Sequence, residues 1–172
     1  MSHEYDQPAA PISFEQIVEM AKERLLVEGS HPPLMVLDGG TQIVAVDLEL
    51  PKTSARRQEL MYVIGIGVAR SGIVGGLRQV FLVSEAWMST PADFRSAFRP
   101  PSKDPNRQEV LMVVSRRPEN IHTRRVTMEI LRDSNGAVRG LRDVTPEASD
   151  DTVVISPLLN AFVAGYTQGR AS

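Results

Sequence analysis

The chain has 172 residues, 42% of them hydrophobic, with a formal net charge of -2 and no cysteine. A chain of this size can bury a real core as one domain, and with a sequence pI of 5.9 it has no bulk attraction to nucleic acid or to an anionic membrane. Without cysteine, disulfides, zinc-thiolate sites, iron-sulfur clusters and thiol nucleophiles are excluded.

Residues 1–12 read as a flexible tail. They are polar, contain Pro8 and Pro11, and have no basic stretch leading into an apolar core, so they do not resemble a secretory signal. A single domain is expected over 13–166, followed by a flexible tail over 167–172. The most apolar window, Leu60 to Ala69, holds about ten residues against the ~20 needed to span a bilayer. The expectation is a cytoplasmic protein without a membrane partner.

Ser13 and Gln16 have capping-box spacing, and Ile12 and Ile17 stand where a hydrophobic staple would sit. The helix that follows carries one apolar stripe, Phe14, Ile17, Val18, Ala21 and Leu25, with Glu15, Glu19, Lys22 and Glu23 toward water; Gly29 ends it. His31, before Pro32 and Pro33, reads as a surface or turn residue, because no base, nucleophile or ligand partner stands at a diagnostic spacing. Leu34 to Leu37 and Gln42 to Leu48 form a hairpin around Asp38-Gly39-Gly40, where the glycines supply the positive dihedrals of a tight turn. Asp38 belongs to that turn, and Asp47 faces solvent.

Thr53 or Ser54 caps a second helix running to about Arg70. From Leu60 to Val68 it is apolar nearly all round, which predicts a central buried helix. Gly65, Gly67, Gly72, Gly75 and Gly76 do not form a phosphate loop, because they lie inside or after the helix rather than between a strand and a helix start. Close packing and a turn account for them.

Two apolar strands, Gln79 to Met88 and Gln108 to Ser115, form the centre of the fold. Val80 to Val83 is apolar on both faces, as a strand covered on each side reads. Phe81, Val83, Glu85 and Trp87 share one face, as do Glu109, Leu111, Val113 and Ser115 on the partner. Antiparallel pairing brings Glu85 and Glu109 to the same end, beside the long proline-containing loop from Ser89 to Arg107. Glu85, Asp104 and Glu109 are therefore the candidate catalytic carboxylates, and Trp87, Asn106 and Arg107 the candidate binding residues. No dedicated metal site and no cofactor are expected.

A further hairpin spans Arg124 to Arg132 and Ala137 to Val144, turning at Asp133-Ser134-Asn135-Gly136. Its arginines, with Arg116 and Arg117, read as the charged rim of an edge strand. A nucleic-acid surface is the weaker alternative, because no aromatic residue is interleaved for stacking. Ser156 caps a short terminal helix with Pro157 at its first position and Gly165 as its stop. Its apolar face, Leu158, Leu159, Phe162 and Val163, must dock on the chain's own sheet or on a second copy, which allows a homodimer.

The runs Arg78 to Met88, Asp104 to Val110 and Ser156 to Phe162 resemble a group of small uncharacterised bacterial proteins. That resemblance implies no activity and no functional residue.

The architecture expected is α+β: a mostly antiparallel sheet of about six strands, with the two main helices on one face and a short C-terminal helix. The functional reading is a binding or protein-interaction module without catalytic activity, its small-molecule ligand unassigned. One alternative is an enzyme using Glu85, Asp104 and Glu109 for acid-base or divalent-cation chemistry, with Arg107 beside them for an anion. The other is nucleic-acid binding through the arginine-rich strand face.

Overall fold

The computed structural model describes residues 10–88, 105–145 and 155–172. The elements in chain order are α1 (Phe14–Glu28), β1 (Leu34–Asp38), β2 (Ile43–Asp47), α2 (Ser54–Ser71), β3 (Gln79–Met88), β4 (Gln108–Arg117), β5 (Asn120–Arg132), β6 (Val138–Asp143) and α3 (Pro157–Ala171). The six strands form one sheet in the order β2-β1-β3-β4-β5-β6, with every neighbouring pair antiparallel. This is the expected α+β fold, with β3 and β4 in its middle.

The helices are divided between the two faces of the sheet rather than sharing one. Phe14, Ile17, Val18, Ala21 and Leu25 of α1 pack against Val36, Phe81, Val83, Leu111, Val113, Met128 and Ile130. On the opposite face, Met61 of α2 and Leu159, Phe162, Val163 and Tyr166 of α3 pack against Met35, Leu37, Val80, Leu82 and Val114. The double-sided burial of β3 requires this arrangement, because a strand apolar on both faces needs a helical layer on each.

The α1 stripe expected from periodicity is the stripe that is buried. Ser13 and Gln16 form the capping box reciprocally, at 2.7 and 3.1 Å, and Gly29 ends the helix with φ 75°. Ser13→Ala removes the hydroxyl that accepts the Gln16 amide, so it should cost about 1 kcal/mol. Urea unfolding would register this as a lower midpoint with an unchanged slope.

α2 is not a buried central helix. Met61 and Gly65 are buried, whereas Val63 is 57% and Tyr62 37% exposed. The apolar circumference has another cause: one side of α2 faces the sheet, a second faces α3, and the third is open. α2 and α3 run parallel and cross closely on small residues, Gly65 and Ala69 on one and Gly165 and Gly169 on the other. A methyl at Gly65 would overlap the Phe162 carbonyl oxygen and lie 2.7 Å from the Tyr166 amide nitrogen. One at Gly165 would overlap the Tyr62 carbonyl, and one at Gly169 would come within 2.8 Å of the Ala69 Cβ and the Ile66 carbonyl oxygen.

Gly165 is therefore a packing residue rather than a helix stop. α3 continues to Ala171, and residues 167–171, expected as a tail, form its last turn. The helix docks on its own chain, where the Tyr166 hydroxyl accepts from the Leu77 amide at 2.9 Å and donates to the Gly75 carbonyl.

In the β1–β2 turn, Gly40 takes φ 87°, and its amide donates to the Asp38 carboxylate at 2.9 Å. Gly39 is required for space, since a methyl there would overlap the Val74 carbonyl. β4 and β5 extend further than expected and meet across Pro118 and Glu119. The charged run from Arg116 to Thr123 carries little hydrophobic alternation to signal this. None of the helices described is long and apolar enough to cross a membrane.

Candidate functional site

β3 and β4 do bring the two candidate glutamates together. Trp87 stands directly opposite Glu109, and Glu85 opposite Leu111, so Glu85 and Glu109 are diagonal neighbours on the α1 face. Glu109 is held by Arg132 in a two-pronged pair, Nε to Oε2 and Nη2 to Oε1, both 2.7 Å. Arg132 Nη1 also donates to the carbonyls of Gly29 and Gly136, each at 3.1 Å. One guanidinium thus joins the C-terminus of α1, β4 and the β5–β6 turn. The Arg132 hydrogen bonds hold the Glu109 carboxyl below its ordinary value, against the opposing effect of burial, with a smaller contribution from the neighbouring Glu85 side chain.

Glu85 accepts the backbone N–H of His31. His31 is 3% exposed, so it is a buried residue and not a surface one. Its Nδ1 lies 2.8 Å from the Pro32 carbonyl oxygen, which fits the constraint of a chain entering a sheet through two prolines.

Trp87 is 45% exposed, with the Arg107 guanidinium 4.5 Å from the ring centroid. Arg107 therefore stacks on the aromatic face, a cation–π contact. Asn106 is exposed in the turn before β4. Asp104 and the rest of 89–104 lie outside the described residues, so the expected three-carboxylate group is seen in two members. No group of three or more His, Asp or Glu side chains that could hold a metal ion occurs among the described residues.

The hairpin arginines are not one surface. Arg124 pairs with Glu15 on the α1 side and covers the Phe14 ring. Arg116 donates to Asn160 of α3 at 2.8 Å on the other side. Arg139 pairs with Asp133 at 2.9 Å and Arg142 with Glu129. β6 is an edge strand, as the rim reading anticipated.

A cavity that periodicity alone did not indicate lies on the α2/α3 face. Along β3 the residues on that face run Val80, Leu82, Ser84, Ala86, so the side chains shrink toward the Trp87 end. A space of about 570 Å³ results, within the range of ligand pockets. Its floor is Leu82, Ser84, Ala86, Met112 and Val114, and its roof is Leu158 with the N-terminal residues of α3; Arg57 of α2 and Arg125 of β5 flank it. The signal in the sequence is the Ser84/Ala86 alternation within an otherwise large-residue strand. A second is Arg125, which stands in line with the inward-facing Thr127.

Fold and site together define a small globular α+β domain with an apolar cavity under the N-terminal ends of two parallel helices. No family model, curated protein or solved structure matches the chain.

Proposed function

We propose that the protein is a non-catalytic binding module whose site is the cavity between β3–β4 and the first turns of α2 and α3. The observation that carries this reading is the step from large side chains to Ser84 and Ala86 along the α2/α3 face of β3, beside a space of about 570 Å³ lined mostly by apolar residues.

The enzyme reading has one observation in its favour, the adjacency of Glu85 and Glu109. Against it, Glu109 engages Arg132 through both oxygens and has a lowered pKa. A carboxylate so held is a weak general base near neutrality and is not protonated to act as an acid. The cluster is better read as a tie between α1 and the sheet. Nucleic-acid binding is disfavoured by the division of the arginines between two faces and by their pairing with Glu15, Glu109, Glu129 and Asp133.

The test uses a neutral apolar fluorophore, N-phenyl-1-naphthylamine, with the wild type and Ser84→Leu. Leu at this position fills the floor of the cavity. Saturable binding by the wild type and at least a tenfold loss in the variant, with the melting temperature kept or raised, is the expected result. Equal binding by both proteins, or none by the wild type, would refute the cavity as the site.

A further inference from the structure

Arg125 of β5 lines the cavity. Among the described residues, Arg125 Nε is the buried side-chain polar atom without a hydrogen-bond partner. Leaving such an atom unsatisfied is costly, and in native structures it calls for an explanation such as a missing partner. Arginine cannot relieve the cost by losing its proton. Its hairpin neighbours behave differently: Arg124, Arg132, Arg139 and Arg142 each meet a carboxylate, and Arg116 meets Asn160. Thr127, the next residue of β5 on the same face, is satisfied through Thr145. Arg125 stands beside Val114 in the register and lines the cavity together with Leu82, Met112, Val114 and Leu158.

We propose that the cavity takes a small amphiphilic anion, a single-chain molecule with one carboxylate-like head and an apolar body, and that Arg125 anchors the head. The inference rests on the binding reading above and adds the chemistry of the ligand. A guanidinium presents a planar fork that a carboxylate meets with two parallel hydrogen bonds. The apolar wall beside it suits a chain rather than a polar body. The N-terminal ends of α2 and α3 also border the cavity, and their dipoles add positive potential there.

The balance of charge selects a singly charged head. Arg57 flanks the mouth, with its Nε committed to the Pro51 carbonyl, while Glu49 and Glu85 also line the site. Glu49 is exposed at the rim, and the Glu85 carboxylate lies on the opposite, α1 face with the His31 amide. A multiply charged phosphate would meet the Glu49 carboxylate with only two arginines to offset both.

Dodecanoate and dodecanol, which share a chain and differ in the head, provide the test when titrated below micelle formation into the full chain. The wild type should bind dodecanoate at least tenfold more tightly than dodecanol. Arg125→Met should bring dodecanoate to the level of dodecanol without lowering the melting temperature, because it removes an unsatisfied polar atom. Arg125→Lys, which keeps the charge and loses the fork, should fall between the two and serves if the Met variant does not fold.

Equal affinity of the wild type for both molecules would overturn the proposal. So would an undiminished preference in the variants, a marked loss of stability in both of them, or inorganic phosphate displacing dodecanoate at similar concentration. If the neutral fluorophore still binds while the preference for the anion fails, the ligand chemistry is wrong and the cavity reading stands. If neither probe binds, both are wrong.

Discussion

Gly165→Ala should destabilise the protein by about 2–3 kcal/mol, whereas Gly67→Ala, also inside a helix, should stabilise it by about 0.5–1 kcal/mol. The intrinsic preference of a helix interior favours alanine equally at the two sites. They differ in what the added methyl meets. At Gly67 nothing lies within 4 Å. At Gly165 the methyl would enter the Tyr62 carbonyl, with the Tyr62 Cα at 3.0 Å, so a backbone and not a flexible side chain would have to give way. The helices would separate, and the contacts of Met61, Phe162 and Tyr166 would loosen with them.

Gly65→Ala should behave like Gly165→Ala, because its methyl would meet the Phe162 carbonyl across the same crossing. The double variant should lose less than the sum of the two, since a single separation of α2 from α3 relieves both clashes. Urea unfolding of the four variants measures all of this. Equal effects at Gly67 and Gly165 would mean that the close crossing is not what the glycines serve.

Arg132→Met should cost about 2–4 kcal/mol at neutral pH, and the cost should shrink in acid. The substitution leaves the partly buried Glu109 carboxylate without its two-pronged partner and takes a donor from the Gly29 and Gly136 carbonyls. The sign of the pH dependence follows from Glu109. Its pKa in the folded state lies below the ordinary 4.5, so the fold favours the ionised form. That contribution is fully present above the ordinary value and is lost as the pH falls through the lower folded-state value. In Arg132→Met the contribution is already gone, so the gap between wild type and variant should narrow as the pH falls below the ordinary 4.5 and through the lower folded-state value. Unfolding curves from pH 7 down to pH 3 give the comparison. A penalty that does not change with pH would assign the role of Arg132 to its bonds with the two carbonyls instead of to the ion pair.

These residues differ in how far they could be read in the sequence. The capping box at Ser13, the α1 stripe and the Asp38 turn rest on contacts within a few residues, and the structure has each as expected. The pairing of β3 with β4 followed from two neighbouring apolar runs with matching alternation, and so did the meeting of Glu85 and Glu109. What held those glutamates did not follow. Arg132 is 23 residues from Glu109, and His31, taken as a surface residue, gives its amide to a carboxylate 54 residues away. Periodicity assigns a residue to a face and says nothing about which distant element covers that face.

The same limit explains α2. Its apolar circumference was read as full burial, although a helix shared between a sheet and a second helix needs the same composition on two sides. Gly165 was read as a stop because glycine commonly ends helices; only the closeness of Tyr62 reveals its use as a packing surface. The cavity is illegible in the sequence for a related reason. Ser84 and Ala86 are unremarkable in a strand until the position of the helices above them is known.

Periodicity, capping, turn formation and composition act over short stretches of chain, and they are enough to specify the elements, the antiparallel α+β class, the central strand pair and the excluded thiol and disulfide chemistries. The division of the helices between two faces, the crossing of α2 and α3 on glycines, the ion pair of Arg132 with Glu109 and the placing of Arg125 beside a cavity arise from long-range contacts. Each of these depends on backbones and charges far apart in the chain being brought within a few ångströms, and their energies are set by burial and distance in the folded molecule.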